Sequence, residues 1–80
     1  MLSTTYPANI TADTGGQWLV TLPDVPEAIT SGGTYADAVS NAAAALATAL
    51  EFYAEAGEVP PKPSALIEGQ VAIPPARETR

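Results

Sequence analysis

Tyr6-Pro7-Ala8-Asn9-Ile10-Thr11-Ala12-Asp13-Thr14-Gly15-Gly16-Gln17-Trp18-Leu19-Val20-Thr21-Leu22 is the stretch on which the fold turns. From Leu2 to Ile10, Leu2, Tyr6, Ala8 and Ile10 share one parity, with Thr5, Pro7, Asn9 and Thr11 on the other. A period of two lays one face of a strand against a core. Pro7 has no N–H to give to a ladder, which suits an edge strand or a position whose N–H faces away from its neighbour. Asp13 to Gly16 signals a tight turn, since glycine reaches positive φ freely and Asp accepts from the backbone two residues on. Gln17 to Leu22 then returns as a second strand, with Trp18, Val20 and Leu22 on one face and Leu19 and Thr21 on the other. Apolar residues on both faces predict a sheet whose back is not wholly open to water.

Working outward, Pro23-Asp24-Val25-Pro26 forces a turn before a short third strand, Ala28 to Ser31, which Gly32-Gly33 ends. Thr34 reads as a helix N-cap, and Asp37 three residues on resembles the acidic member of a capping box. A helix is predicted from Tyr35 to about Ala56, with Gly57 just past its end. Its apolar stripe is Val39, Ala42, Ala43, Leu46, Ala49, Leu50 and Tyr53, and alanine adds high intrinsic propensity. Glu58-Val59-Pro60-Pro61-Lys62-Pro63-Ser64 is an extended return arm, because its prolines fix φ and remove donors. Gln70 to Ile73 is the last strand, placed beside the first; a right-handed crossover would make the two parallel. The expected architecture is α+β in the order β-β-β-α-β, one helix on a small sheet, with residues 1–75 as one domain and residues 76–80 a disordered tail.

Length and charge narrow the function. Eighty residues make one small core, and without cysteine no disulfide can staple it, so self-association as a homodimer or higher is expected. Histidine is also missing, which removes the usual ligands of zinc and copper; no metal or other cofactor is expected. Nine Asp and Glu stand against Lys62, Arg77 and Arg80, a net charge of −6. Such a surface repels phosphate, so direct nucleic-acid binding by this chain is not expected; its long-range field suits a cationic partner. No apolar run reaches the roughly 20 residues of a membrane span, and the first residues lack a signal-peptide pattern, so the reading is cytoplasmic with no membrane association.

Candidate chemistry is sparse. With no cysteine or histidine, the serines have no recognisable base, and the chain does not read as an enzyme. Glu51, Glu55 and Glu58 fall at four- and three-residue spacing, the first two on one helix face and the third just beyond it. Such a stripe is either a solvated face or a landing strip for a partner's Lys and Arg; like charges four apart cost a few tenths of a kcal/mol that a cationic partner relieves. Asp24, held between prolines, joins Glu51, Glu55 and Glu58 as the candidate partner-binding set. Trp18 and Tyr53 are assigned to the core, with Tyr6 beside them, and Asn41 is either an ordinary solvent-facing residue or one that hydrogen-bonds a neighbouring loop and locks the helix against the sheet, the second reading being preferred.

Several pieces in order resemble the HicB-like antitoxins of bacterial type II toxin–antitoxin systems. These are Tyr6-Pro7-Ala8, Asp13-Thr14-Gly15-Gly16 followed by an aromatic, Pro23-Asp24-Val25-Pro26, Thr30-x-Gly32-x-Thr34, and Ala38-x-x-Asn41-Ala42 with Ala45-Leu46. They extend over about residues 6 to 63. The resemblance implies a partial ribonuclease-H-like fold without the acidic active site of true ribonucleases. It further implies occlusion of a small basic mRNA-cleaving toxin of the HicA type. Glu27 stands where the family usually has glycine after the second proline. Family members typically carry a C-terminal DNA-binding segment; only Gln70 to Arg80 is available here, so the chain resembles a short form without autoregulation of its own. Two other readings of the same residues are an oligomeric interaction module without a toxin, and an acidic phage-type inhibitor that mimics nucleic acid.

Overall fold

A computed structural model describes residues 5–76. Its elements run β1 (Tyr6–Ala12), β2 (Trp18–Thr21), β3 (Thr30–Gly32), α1 (Tyr35–Glu55) and β4 (Val71–Ile73), and the strands form one sheet in the order β3-β2-β1-β4. One helix therefore packs on a four-stranded sheet, the α+β architecture expected from the sequence.

The first hairpin is built by Asp13. Its Oδ1 accepts from the N–H of Gly15 at 2.8 Å and of Gln17 at 3.0 Å, while Gly16 takes a φ of 85°. β1 and β2 then pair antiparallel from Asn9↔Thr21 to Ala12↔Trp18. β2 and β3 pair antiparallel from Val20↔Thr30 to Trp18↔Gly32. The third strand starts two residues later and ends one residue later than expected. Ala28 is not in a strand: two tight turns, Val25 N–H to Leu22 O and Ala28 N–H to Val25 O, drive Val25 and Ala28 into the core as loop residues.

Gly32, read as a strand terminator, is a buried strand residue. A Cβ there would meet the Ala38 backbone nitrogen at 2.4 Å, so only glycine lets the helix start this close to the sheet. Thr34 caps that start, its Oγ1 accepting from the Asp37 N–H at 3.0 Å. Gly57, at φ 73°, closes the other end: its N–H reaches Ala54 O, and the Glu58 N–H reaches Tyr53 O, the paired bonds of a Schellman motif. The helix ends at Glu55 with Ala56 as its cap, one residue from the expected boundary.

Ala38, Ala42, Leu46 and Ala49 are the buried stripe of α1, flanked by half-buried Val39, Ala43, Ala45 and Leu50. They face Tyr6, Ala8, Val20, Leu22 and Ile73. Each large aliphatic side chain fully buried here contributes about 1.5–3 kcal/mol. Tyr6 is the core aromatic; Trp18 is half-buried and meets Tyr35 edge to face at 5.4 Å, and Tyr53 is only half-buried. Asn41 does lock α1 to the sheet, its Nδ2 donating to the Ser31 carbonyl at 2.8 Å.

β4 lies beside β1 as expected but runs antiparallel to it, from Tyr6↔Ile73 to Ala8↔Val71. The arm explains the direction. It is tied at Pro61, whose carbonyl accepts from the Tyr6 hydroxyl at 2.7 Å, then at Ser64 to Asp24, then at Gln70, whose Nε2 reaches Asn9 Oδ1 at 3.4 Å. Climbing alongside β1 from Tyr6 to Asn9, the chain turns at Gly69 (φ 89°) and must descend. Pro7 lies opposite Ala72, and with no N–H it makes this the non-hydrogen-bonded pair of the ladder. The β2 ladder begins only at Asn9, so the missing donor of Pro7 removes no bond on that side either. Ala76 donates its N–H to Ala43 O at 2.9 Å and is anchored to the helix; the remainder of the expected tail, residues 77–80, lies outside the described residues.

Candidate functional site

The C-terminal end of α1, the Pro23–Pro26 turn and the start of the arm meet at one pole of the molecule. Glu51 and Glu55 reach it on the exposed side of the helix, and Glu58 follows the Gly57 cap, all three exposed. Its last turn carries no basic residue, so the negative end of the helix dipole adds to these carboxylates unopposed. On the half-buried side of the helix, Glu27 Oε2 accepts from the Tyr53 hydroxyl at 2.8 Å, and the Glu58 charge also acts on that phenol. Sequence reasoning passed over Glu27 as a family departure. Its position one residue past Pro26, with a tyrosine on the facing helix, was the available signal.

Asp24 sits at the same pole in a different role. Its Oδ2 accepts from the Ser64 N–H and Oδ1 from the Ser64 hydroxyl, at 2.6 and 2.7 Å, so both oxygens hold the arm. The Ser64 backbone bond, and then the hydroxyl bond, hold the Asp24 pKa below the ordinary carboxylate value, against a smaller opposing effect of burial. Nearby, the Tyr6 phenol is pushed up, chiefly by burial and then by the Asp24 charge. Tyr53 is also pushed up, first by its bond to Glu27, then by burial and by the charges of Glu27 and Glu58. Both phenols thus stay protonated and donate, Tyr6 to the Pro61 carbonyl and Tyr53 to Glu27.

This geometry can attract and orient cations. Of the four candidate residues, Glu51, Glu55 and Glu58 present free carboxylates, whereas Asp24 acts through the segment it fastens. Among the described residues, no three or more acidic side chains converge as ligands around one point. No helix of the described residues is long and apolar enough to cross a membrane.

A single helix on an antiparallel four-stranded sheet defines a small α+β domain. Comparison with known proteins gives that domain its family. Residues 5–75 match the model of the HicB-like antitoxins of bacterial toxin–antitoxin systems, and the chain belongs to that family. Antitoxin HicB of Escherichia coli (strain K12) is 44% identical over 61 residues, which cover 76% of this chain and 44% of that protein. Antitoxin HicB 2 of Photorhabdus laumondii is 42% identical over 69 residues, covering 86% of this chain and 49% of that protein. The chain thus spans about half the length of the curated relatives it matches. Among solved structures, the N-terminal domain of Burkholderia pseudomallei antitoxin HicB superposes with a TM-score of 0.70 at 23% identity, covering 95% of this chain and 100% of that one. That last likeness is one of fold.

Proposed function

We propose that this chain acts as an antitoxin, laying its acidic pole over the basic surface of a small HicA-type mRNA-cleaving toxin and inhibiting it by occlusion, with no bond-making chemistry of its own. The observation that carries the reading is the negative charge at the end of α1: Glu51, Glu55 and Glu58 are exposed around a helix whose last turn carries no basic residue. Membership of the HicB-like family supports the same role. Glu51, Glu55 and Glu58 are the contact residues in this reading, and Asp24 shapes the surface by fixing the arm against it. The pair would meet in the cytoplasm, where mRNA is the toxin's target. Electrostatic attraction of this kind chiefly raises the association rate and weakens as salt rises.

Co-expression tests it. The chain is expected to restore growth of bacteria making a HicA-type toxin, and Glu51→Lys with Glu55→Lys is expected to weaken toxin affinity at least about tenfold while the helix signal in circular dichroism is unchanged. Failure of the unaltered chain to bind or neutralise such a toxin would remove the proposal; undiminished affinity in the double variant would move the interface off α1.

A further inference from the structure

We infer that the arm displays a polyproline ligand, and that Val59-Pro60-Pro61-Lys62-Pro63 docks into an aromatic-walled protein groove rimmed with carboxylates. Covalent constraints set the conformation of this run. Pro60, Pro61 and Pro63 have φ fixed at about −65°, while Val59, Pro60 and Lys62 each precede a proline, which keeps them in the extended region. Such a run favours the left-handed polyproline helix, with three residues per turn and no internal hydrogen bonds.

The tethers of the arm follow the same period. Pro61 and Ser64 are three residues apart and share one edge of that helix. They are the two residues tied to the body: the Pro61 carbonyl accepts from the Tyr6 hydroxyl at 2.7 Å, and Ser64 gives both its N–H and its hydroxyl to Asp24. Pro61 is half-buried, in keeping with an inward edge. Pro60 and Pro63 on the second edge, and Val59 and Lys62 on the third, are all exposed, Val59 by 86%. The carbonyls of Val59, Pro60, Lys62 and Pro63 have no hydrogen-bond partner among the described residues. Two apolar edges and a set of free acceptors are thus held outward. Tethering them in advance reduces the ordering entropy that a flexible proline segment loses on docking.

Charge selects the groove. Lys62 is the one basic residue among residues 5–76, and it stands on an outward edge. Four residues of polyproline helix at about 3.1 Å each place it roughly 12 Å along the arm from Glu58, beyond the screening length of about 8 Å at physiological salt. A groove whose rings stack on Pro60 and Pro63 and whose rim carries carboxylates engages both outward edges together. A basic toxin surface has no such rim. The arm and the acidic pole therefore suit partners of opposite charge, and this inference is independent of toxin neutralisation.

Nuclear magnetic resonance titration of the whole chain with an SH3, a WW and an EVH1 domain, each of which has an aromatic-lined groove, is the direct measurement. At least one is expected to bind with a Kd of about 10–500 µM, shifting the amide signals of Val59, Lys62 and Ser64 while those of Ser40 and Thr48 on α1 stay in place. Pro60→Ala with Pro63→Ala removes one outward edge and is expected to abolish these shifts. Lys62→Glu is expected to weaken groove binding at least about tenfold and to leave neutralisation of a HicA-type toxin intact. Tyr6→Phe keeps the ring in the core but frees the Pro61 carbonyl, and is expected to weaken docking severalfold; if it fails to fold, Asp24→Asn, which loosens the other tether, takes its place. Binding by none of the domains, shifts confined to the acidic pole, or affinity undiminished by Pro60→Ala with Pro63→Ala would each overturn the inference and leave the prolines as a stiffener of the arm.

Discussion

Gly32 and Gly33 are adjacent and chemically identical, yet the structure asks different things of them. A methyl group on Gly32 would overlap backbone atoms of Asp37 and Ala38, which cannot swing aside, whereas one on Gly33 meets nothing within 4 Å. Gly32→Ala is expected to destabilise by about 2 kcal/mol or more, and Gly33→Ala to change stability by less than about 1 kcal/mol; urea unfolding of the two variants measures the contrast. Asp24 gives a pH signature. Its folded-state pKa is depressed, so the stabilisation it provides is complete above its unfolded value and is lost as pH falls through the folded value. Asp24→Asn should flatten the acid limb of the stability curve over that window; an unchanged limb would show that the Ser64 contact contributes nothing. At this scale the sequence was least informative. Asp24 was legible as a turn residue, but its partner Ser64 is 40 residues away in the chain and no local pattern links them.

At the level of elements, α1 was the most readable because its ends are written locally. Thr34 and Asp37 at one end and Gly57 at the other are short-range signals, and the stripe between them repeats every three or four residues. Gly57→Ala forces an L-residue to a φ of 73° within the Schellman closure and is expected to cost about 1 kcal/mol, read as a fall in thermal midpoint of several degrees. Removing Leu46 at the centre of the stripe by Leu46→Ala should cost about 2–5 kcal/mol, enough to populate the unfolded state of so small a domain. β4 was readable as a strand and as a neighbour of β1, but not in direction. Alternation of side chains is the same whichever way a strand runs, and the sense was decided by contacts of the arm at Tyr6, Asp24 and Asn9 that lie far off in sequence. The third strand was displaced because Val25 and Ala28 reach the core from turns, where period-two reasoning does not apply.

For the molecule as a whole, composition pointed to electrostatic attraction: a net charge of −6 carries a long-range field suited to a cationic partner. What composition could not supply was the placement of that charge, which the fold concentrates at one end of α1 and keeps off the outer sheet face. The antiparallel partnership of β1 and β4 has a further topological result. Tyr6 stands opposite Ile73, so the first and last strands enter and leave at one corner of the sheet. A short flexible linker can bridge that corner, and the chain can be reopened at Thr14–Gly15, where the hairpin loop is solvent-exposed, giving a circular permutant that keeps all the strand pairings.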